Sequence, residues 1–424
     1  MKTKYIRTKT AEVFDKPDGK RSCVLIYGDE VEAGGAVTAG QTRITCRGRE
    51  GVIKTSALGA KPALELYFID VGTGDAAFIV TPGRKKILID GGLNKRALGF
   101  LAWKYRLDQP GHSVDLDLLV LTHADDDHIT GLIPVVQHPG INVKKIVHSG
   151  IATYADGAFK TELGALSVDK KHLVTRHSTL ADLGGARLSP LFASWIKAIK
   201  AKGATLDYGA VSTETGELKL GDDSVKLEVL GPVLDKVGGK PAYPWFGDKA
   251  HTINGHSVVL RLTHDKVRVL FTGDLNTRAE ERLLAKLPPA AFDAHVLKAP
   301  HHGSQEFTPA FLKAVRPQIS VISSGDERDF GHPRANFIGA VGRASRGEEP
   351  LVFSTELAGN FVEVDAKEGP QPANASPDAK RRVLFKRRLN GMINVRSDGA
   401  KLFAARRVAA SFWWESYDLT PAAP

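Results

Sequence analysis

The sequence predicts a layered α/β fold, preceded by a small β-barrel and followed by a basic extension. The central prediction rests on short apolar runs that recur between residues 62 and 365, each ending in glycine or in side chains of types that can bind metals. Runs of this kind are typical of strands covered on both faces, and α/β folds place their sites at the carboxyl ends of such strands. Helix-like stretches such as KRALGFLAWKYRL and RAEERLLAKL separate the runs.

Length and composition fit a globular protein of two or three domains. Of the 424 residues, 42% are hydrophobic and 25% charged, which argues against wholesale disorder, a collagen-like repeat or a coiled coil. No apolar run reaches the length of a membrane span. No apolar stretch follows the charged N-terminal residues, so we expect a cytoplasmic protein without a membrane partner.

Residues 1–60 consist of short β-like runs broken by Gly, Asp and Pro, without helical periodicity. We expect a small barrel here, and the segments GDEVEA and GREGVIKTSAL resemble the bacterial SH3-like domain. Such a module would bind a protein or a ligand rather than catalyse a reaction. The only cysteines, Cys23 and Cys46, lie in this region, which excludes a cysteine-ligated zinc site in the main body.

We place the main α/β domain at residues 62–365. Residues 150–250 are richer in Gly, Lys and Thr and carry few clusters of ligand-type residues, so we interpret them as an insertion or lid. Residues 366–424 are predicted to be a flexible linker, KEGPQPANASPDAKRR, followed by a basic β-hairpin. The Asp398-Gly399 turn between two alternating segments is the hairpin signal.

The basic charge is concentrated near the C-terminus. Residues 380–407 contain ten Lys or Arg and one acid, Asp398, and therefore hold +9 of the net charge of +10. Such a field attracts polyanions. We expect nucleic acid to bind to Arg381, Arg382, Lys386, Arg387 and Arg388, with base stacking on Phe385, Phe403, Phe412, Trp413 and Trp414. The alternative is a hairpin whose aromatic residues complete the core while its arginines are merely solvated.

The strongest local signal is the segment HADDDH at residues 123–128, directly after the apolar run LDLLVLT. Three adjacent carboxylates at a strand end repel one another unless cations or hydrogen-bond donors offset their charge, and a divalent metal does so most directly. Imidazole and carboxylate without thiolate suit Zn²⁺, Mn²⁺ or iron. The alternative is a solvated acidic turn.

Three further strand ends carry ligand-type residues. Asp274 ends the run RVLFTGD, His301 and His302 follow HVLKAP, and His332 lies in a Gly-His-Pro turn. Because parallel strands bring their carboxyl ends to one edge of a sheet, we expect these residues to meet the HADDDH segment.

Seven segments in this order resemble the metallo-β-lactamase superfamily, and within it the hydrolase domain of ComEC-type competence proteins: FIDVGTGDAAFIV, KKILIDGG, LTHADDDHITGL, NGHSVVLRL, VLFTGD, LKAPHHGS and ISSGDERDFGHP. The resemblance covers residues 64 to 365, without the N-terminal region or the tail. It implies an αββα sandwich and metal-dependent hydrolysis, most often of a phosphodiester.

The resemblance also implies roles for individual residues. Metal ligands would be His123, Asp125, Asp127, His128, the bridging Asp274, and His301 or, in its place, His302. Asp90 in LIDGG would orient the metal-binding loop without binding metal itself. Asp125 replaces the second histidine of the commoner motif, and the usual later histidine has no clear equivalent, with His256 the nearest candidate. We expect two divalent ions, Zn²⁺ or Mn²⁺, and the harder Asp125 oxygen favours Mn²⁺.

We therefore expect a binuclear hydrolase of phosphodiesters, foremost a nuclease that acts on DNA through metal-activated water. Asp127 would assist deprotonation or hold the second ion, while Lys298 and His332 would neutralise the phosphate or protonate the leaving group. One alternative keeps the metal site but takes a small substrate: a cyclic nucleotide, another phosphodiester or a lactone. Another is a binding protein with a vestigial metal site, which the retained ligand-type residues disfavour.

Overall fold

The computed structural model describes residues 1–203, 206–325, 331–365, 381–407 and 413–421. Side chains are described in these ranges except at residues 358–365 and 381–390. The helices of the described residues are α1 (Arg96–Tyr105), α2 (Asp126–Ile129), α3 (Leu132–Gln137), α4 (Pro190–Lys200), α5 (Lys249–Gly255), α6 (Thr277–Lys286), α7 (Pro309–Val315) and α8 (Ala335–Ala344). None of them is long and apolar enough to cross a membrane.

The N-terminal region folds as one seven-stranded antiparallel sheet with a small core of its own. Its strands are β1 (Lys2–Ile6), β2 (Thr10–Phe14), β3 (Arg21–Ile26), β4 (Glu30–Thr38), β5 (Gln41–Cys46), β6 (Arg49–Lys54) and β7 (Leu58–Gly59). Buried residues alternate with exposed ones in β2 and β5, so each strand turns one face to the core. Cys46 is buried in that core, Cys23 packs against it, and neither forms a disulfide. The likeness to an SH3-like barrel stays a prediction.

The remaining strands follow in chain order. They are β8 (Leu64–Phe68), β9 (Ala77–Val80), β10 (Lys86–Ile89), β11 (Val114–Leu116), β12 (Leu118–Leu121), β13 (Ile141–Val143), β14 (Lys145–His148), β15 (His172–Leu173), β16 (Asp207–Ala210), β17 (Lys226–Gly231), β18 (Asp235–Val237), β19 (Lys240–Pro244), β20 (Val259–His264), β21 (Val267–Phe271), β22 (Val296–Lys298), β23 (Ile319–Ile322), β24 (Leu351–Ser354), β25 (Glu356–Asp365), β26 (Arg381–Asn390), β27 (Ile393–Ser397), β28 (Leu402–Arg407) and β29 (Trp414–Leu419).

Two large sheets pack face to face. The first has the order β16-β14-β12-β10-β9-β8-β27-β28-β29 and the second the order β17-β20-β21-β22-β23-β24. Buried side chains such as Phe68, Val120 and Val269 fill the space between the sheets. Helices α1, α3 and α4 cover the outer face of the first sheet, and α6, α7 and α8 cover that of the second. The predicted αββα sandwich is therefore confirmed.

Each large sheet contains a block of parallel strands. In the first sheet β10, β12, β14 and β16 run parallel, and in the second β21, β22, β23 and β24 do. Their connections bring several carboxyl ends to one rim of the sandwich, where loops can gather functional side chains.

The C-terminal hairpin belongs to the sandwich, and our domain boundary at residue 365 is corrected accordingly. Strand β27 pairs antiparallel with β8, β28 pairs with β27, and β29 with β28. Ile393 and Val395 are buried in the core between the sheets. The hairpin itself was predicted. Its pairing with β8 was not, because β8 lies more than 300 residues earlier in the chain and the pairing leaves no local signal in the sequence.

Much of the segment 150–250 is likewise structural rather than a separate lid. Helix α4 buries Phe192 and Trp195 in the same core as α3, and β16 forms the edge of the first sheet. Tyr243 is fully buried and donates a hydrogen bond to the Ser149 carbonyl at 2.6 Å. Only β15, β18 and β19 form a small sheet of their own within this segment.

Arg396 fixes the N-terminal sheet to the sandwich. Its side chain is fully buried, donates to the Leu66 carbonyl at 3.1 Å and lies over the Tyr67 ring at 4.2 Å. Its guanidinium also faces Asp29 of the N-terminal sheet at 3.7 Å. Arg396 is therefore not available to an outside polyanion, although it belongs to the basic stretch that we singled out.

Candidate metal centre

The site lies at the rim where strands of both large sheets end. His123 follows β12, Asp274 follows β21, and His302 follows β22, so the sandwich brings together residues that lie far apart in the sequence. The short helix α2 directly after His123 carries Asp127 and His128. The convergence predicted from the strand ends is thus observed for these five residues.

Three side chains form the inner part of the site. His123, His128 and Asp274 each offer a ligand atom that lies within 4.8 Å of the other two, and all three are buried. The His128 Nε2 atom is 3.3 Å from Asp274 Oδ2. Thr122 Oγ1 lies 3.1 Å from Nδ1 of His123, so that nitrogen faces a hydroxyl while Nε2 faces the site.

His302 and Asp127 complete the second part of the site. His302 Nε2 lies 3.0 Å from Asp274 Oδ2 and 3.2 Å from Asp127 Oδ2. The other ring nitrogen, Nδ1, donates to the Ser323 carbonyl at 2.9 Å, which leaves Nε2 directed at the carboxylates. His302 and Asp127 also form a cluster of close ligand atoms with His128.

Asp90 lies behind the site rather than in it. Its carboxylate accepts hydrogen bonds from Thr122 N at 2.8 Å and Thr122 Oγ1 at 2.6 Å, and its Oδ2 lies 2.9 Å from His128 Nδ1. This contact fixes the His128 ring so that Nε2 points toward Asp274. A carboxylate orients a metal-binding histidine in the same way. Asp90 has a φ of 57°, a left-handed backbone that turns its side chain toward Thr122.

Asp75 faces the site and was missed by sequence reasoning. Its carboxylate forms an ion pair with Lys298, lies 3.4 Å from His302 Nδ1, and belongs to a ligand-type cluster with Asp274 and His302. The preceding Gly74 has a φ of 97°, and a Cβ there would lie 1.9 Å from the Asp127 carbonyl. The only sequence signal was the Gly-rich turn in VGTGDA, between two apolar runs.

Lys298 is placed differently from our expectation. Its ammonium is buried, faces Asp75, lies 3.8 Å from Asp274 Oδ1 and donates to the Gly273 carbonyl at 3.2 Å. A cation enclosed in this way offsets part of the negative charge of the two carboxylates. The direct contact with a substrate phosphate that we predicted for Lys298 does not fit this burial.

Asp125, His301 and His332 lie at the margin of the site. Asp125 Oδ2 is 3.9 Å from His123 Nε2, and His301 Nε2 is 4.0 Å from Asp274 Oδ2. The His332 ring centroid lies 5.5 Å from that of His301. Of the twin histidines, the structure therefore brings His302 rather than His301 into close contact with Asp274.

His256 points away from the site. Its Nε2 donates to the Pro244 carbonyl at 2.9 Å, and its ring stacks on Phe246 with centroids 4.8 Å apart. The neighbouring Ser257 contacts the site instead, since its hydroxyl lies 3.3 Å from His123 Nδ1 and accepts a hydrogen bond from Asp274 N at 3.0 Å. The segment NGHSVVL thus reaches the site through its serine.

The density of charge shifts several pKa values. Burial opposes ionisation of Asp274, but His302 and His128 outweigh it and hold the pKa of that carboxyl well below its usual range. Burial lowers the pKa of His123 to about 3, with a further contribution from His128. Burial and Asp127 raise the pKa of Asp125 to about 7. Asp274 is therefore the fixed anion around which the neutral His123 ring and the other ligand-type side chains are arranged.

Comparison with known proteins gives the family. Residues 69–326 match the metallo-β-lactamase superfamily, a range that contains every residue of the site except His332. The chain belongs to that superfamily. It is 24% identical to ComE operon protein 3 of Bacillus subtilis over 302 residues, which are 66% of this chain and 31% of that protein. It is 36% identical to Competence protein ComA of Neisseria gonorrhoeae over 107 residues, 25% of this chain and 15% of that protein.

The chain thus spans less than a third of the length of either curated relative. Among solved structures, CmlA, a diiron β-hydroxylase from Streptomyces venezuelae, aligns over 70% of this chain and 54% of its own. The TM-score is 0.35 and the identity 13%, a likeness that says nothing about the site.

The residues of this metallo-β-lactamase site fit divalent metal. Among the described residues, His123 Nε2, His128 Nε2, His302 Nε2 and Asp274 Oδ1 are buried and have no hydrogen-bond partner. Orphaned polar atoms of this kind cost stability unless a ligand satisfies them. Three imidazole nitrogens that converge on one carboxylate form the donor set that divalent transition metals prefer.

The predicted nucleic-acid contacts are not described. Arg381, Arg382, Lys386, Arg387 and Arg388 lie in β26, which pairs antiparallel with β25, but their side chains fall outside the described part of the chain, as do those of Phe385 and Phe412. Two of the remaining aromatic residues pack inward: Phe403 is buried near Tyr27, and Trp414 Nε1 donates to the Val24 carbonyl at 3.0 Å.

Proposed function

We propose that this protein is a phosphodiesterase whose foremost substrate is DNA and whose site holds two divalent ions, Zn²⁺ or Mn²⁺. The observation that carries the proposal is the convergence of the His123, His128 and His302 Nε2 atoms, which are buried without a hydrogen-bond partner, on Asp274. Two overlapping sets of ligand atoms share Asp274 in this arrangement. A carboxylate shared in this way is suited to bridge a pair of ions.

The residues divide between the two ion positions. His123 and His128 would hold the first ion, Asp127 and His302 the second, and Asp274 both, with Asp75 beside the second position. Asp125 and His301 lie within reach as additional ligands. When bound, such ions lower the pKa of a water molecule and offset charge on the attacking and leaving oxygens.

The protein side chains would orient the reaction and move its protons. The Asp127 side chain is 24% accessible, against 4% for Asp274, and can accept a proton from the attacking water. His332 lies beside His301 at the margin of the site, where it can pass a proton to the leaving oxygen. Asp90 and Ser257 hold the two inner histidines in place, and Lys298 balances Asp75 and Asp274.

The distribution of charge favours DNA over a small diester. The resemblance to ComEC-type competence proteins implies phosphodiester hydrolysis, and most of the excess positive charge lies between residues 380 and 407. The affinity of a polyanion for such a protein falls steeply with salt, because bound phosphates release counterions. A small substrate releases few counterions, so its affinity depends little on salt. Cleavage of plasmid, single-stranded DNA, RNA and small diesters at two salt concentrations therefore distinguishes a nucleic-acid substrate from a small one.

The decisive variant combines His128→Ala with Asp274→Ala. We expect it to abolish Mn²⁺-dependent cleavage of plasmid and single-stranded DNA, because both ion positions lose a ligand. The matched control is His112→Ala with Asp156→Ala, two exposed residues outside the site, which should cleave like the wild type. Undiminished cleavage by the site variant would remove the proposed function.

A further inference from the structure

A large cleft separates the N-terminal sheet from helix α1, with a volume of about 1210 Å³. It shares no lining residue with the metal centre. Strand and turn residues of the N-terminal sheet form one wall, the exposed end of α1 forms the opposite one, and residues of β27, β28 and β29 complete the lining. Arg49 and Trp103 are exposed, which shows that the cleft is open to solvent.

Besides Arg407 of β28, three arginines line this cleft. Arg47 and Arg49 flank the turn between β5 and β6, and Arg106 follows the end of α1 on the opposite wall. The Arg47 guanidinium lies over the ring of Trp103 at 4.3 Å, and that of Arg106 packs against Gly48. Within the described ranges, none of the three guanidinium groups forms an ion pair with a carboxylate.

The acidic residues of the cleft do not cancel this charge. Asp29 lies deep inside, where it accepts a hydrogen bond from Ile26 N and faces Arg396. Glu50 and Asp108 are exposed, and Asp108 accepts a hydrogen bond from Gln109.

The backbone holds two of these arginines in an unusual conformation. Arg47 has a φ of 47° and Arg106 a φ of 56°, both left-handed. Cys46 pairs with Arg49, so Arg47 and Gly48 form a two-residue hairpin turn, which favours Asn or Gly at its first position. Strained residues of this kind occur mainly where a side chain is needed at a particular place. Here the strain directs the guanidinium group onto Trp103.

We propose that this cleft binds a segment of single-stranded nucleic acid, with phosphates on Arg47, Arg49 and Arg106 and a base stacked on Trp103. Guanidinium groups pair with phosphate oxygens in a fixed geometry, and aromatic faces stack on any base. The side chain of Trp103 is 50% exposed, so a face or edge of the ring remains free to a ligand. The proposal goes beyond the catalytic function, because the cleft is separate from the metal centre.

The size of the cleft favours a strand over a free nucleotide. Its volume exceeds the range of roughly 300–1,000 Å³ that is typical of sites for small molecules. Three unpaired arginines on opposite walls also suit several phosphates better than one.

The test measures binding of a fluorescent 20-nucleotide oligothymidine by anisotropy, in EDTA so that no cleavage occurs. Arg47→Asn and Trp103→Ala should each weaken binding about fivefold or more. Arg47→Asn should also reduce the slope of log affinity against log salt by about 0.7, the value for one lost phosphate contact on a single strand. Because asparagine suits the left-handed turn, the thermal midpoint of Arg47→Asn should not fall, which excludes unfolding as the cause.

The matched control is Arg43→Asn, which removes an exposed arginine of β5 outside the cleft and should change affinity less than twofold. Equal weakening by Arg43→Asn, or unchanged binding in both cleft variants, would overturn the proposal. Binding of thymidine monophosphate as tight as that of the oligonucleotide would overturn the assignment to a strand. Hydrolysis of bis(p-nitrophenyl) phosphate by the wild type tests the proposed function separately, since that substrate does not need the cleft.

Discussion

At the scale of single residues, the site depends on buried charges that balance one another. Asp75, Lys298 and Asp274 are all nearly inaccessible to water and lie in contact. Burial lowers the pKa of Lys298, but Asp75 and Asp274 outweigh it and raise that pKa above its ordinary value. Removal of one partner from such a group leaves a charge without compensation in a region of low dielectric constant.

Asp75→Asn is therefore expected to reduce the free energy of unfolding by about 3 kcal/mol, measured by urea denaturation in EDTA. The double variant Asp75→Asn with Lys298→Met should recover part of that loss, because the isolated cation is gone as well. Equal stability of Asp75→Asn and the wild type would show that the pair does not stabilise the fold.

A second residue-scale prediction concerns His177, which is buried beside His148 with ring centroids 4.4 Å apart. Burial lowers the pKa of His177 to about 4. In the unfolded chain its ordinary value is near 6.5, so below that pH the unfolded state binds a proton that the folded state does not. The free energy of unfolding should then decrease as pH falls from about 6.5 to about 4, by up to about 1.4 kcal/mol per pH unit from this group.

His177→Phe should make that dependence shallower in urea denaturation of the metal-free protein at several pH values. The variant also loses the hydrogen bond to the Tyr208 hydroxyl at 3.1 Å and should be less stable at neutral pH. His112→Phe, at an exposed position, should leave the slope unchanged. Parallel curves for the wild type and His177→Phe would contradict this assignment.

At the scale of elements, the sequence predicted helices and motifs that depend on neighbouring residues. It did not predict strand pairing between distant parts of the chain. The helix-like stretches KRALGFLAWKYRL and RAEERLLAKL correspond to α1 and α6, because their apolar spacing repeats over several turns. The site motif at 123–128 was placed correctly after a buried strand, since both signals lie within one short segment. The partner of β8 could not be found this way, because pairing with β27 depends on contacts across most of the chain.

The structural role of the C-terminal hairpin is tested by Ile393→Ala. Ile393 is fully buried between the two sheets, so the variant should lose about 2–5 kcal/mol of unfolding free energy in a denaturant titration. Lys401→Ala, at an exposed position in the turn of the same hairpin, should stay within about 0.5 kcal/mol of the wild type. A loss of less than 1 kcal/mol in Ile393→Ala would contradict the placement of β27 in the sandwich.

At the scale of the whole molecule, the N-terminal sheet and the sandwich are joined by ion-pair contacts. Arg84 of the sandwich pairs with Glu30 of the N-terminal sheet and with Glu65 of β8 at 3.1 Å, while Arg396 faces Asp29. Composition and motif order predicted the sandwich and the clustering of ligand-type residues at its strand ends. They could not predict this junction, Asp75 or the cleft, because each arises only when distant surfaces meet.

The proposed function requires His123, Asp127, His128, Asp274 and His302 to bind a pair of divalent ions. Elemental analysis of the purified protein, dialysed against Zn²⁺ or Mn²⁺ and then against metal-free buffer, tests it directly. We predict two ions per chain in the wild type and fewer than one in the Asp274→Asn variant. A wild-type protein without bound metal, or an Asp274→Asn variant with an unchanged two ions, would contradict the account.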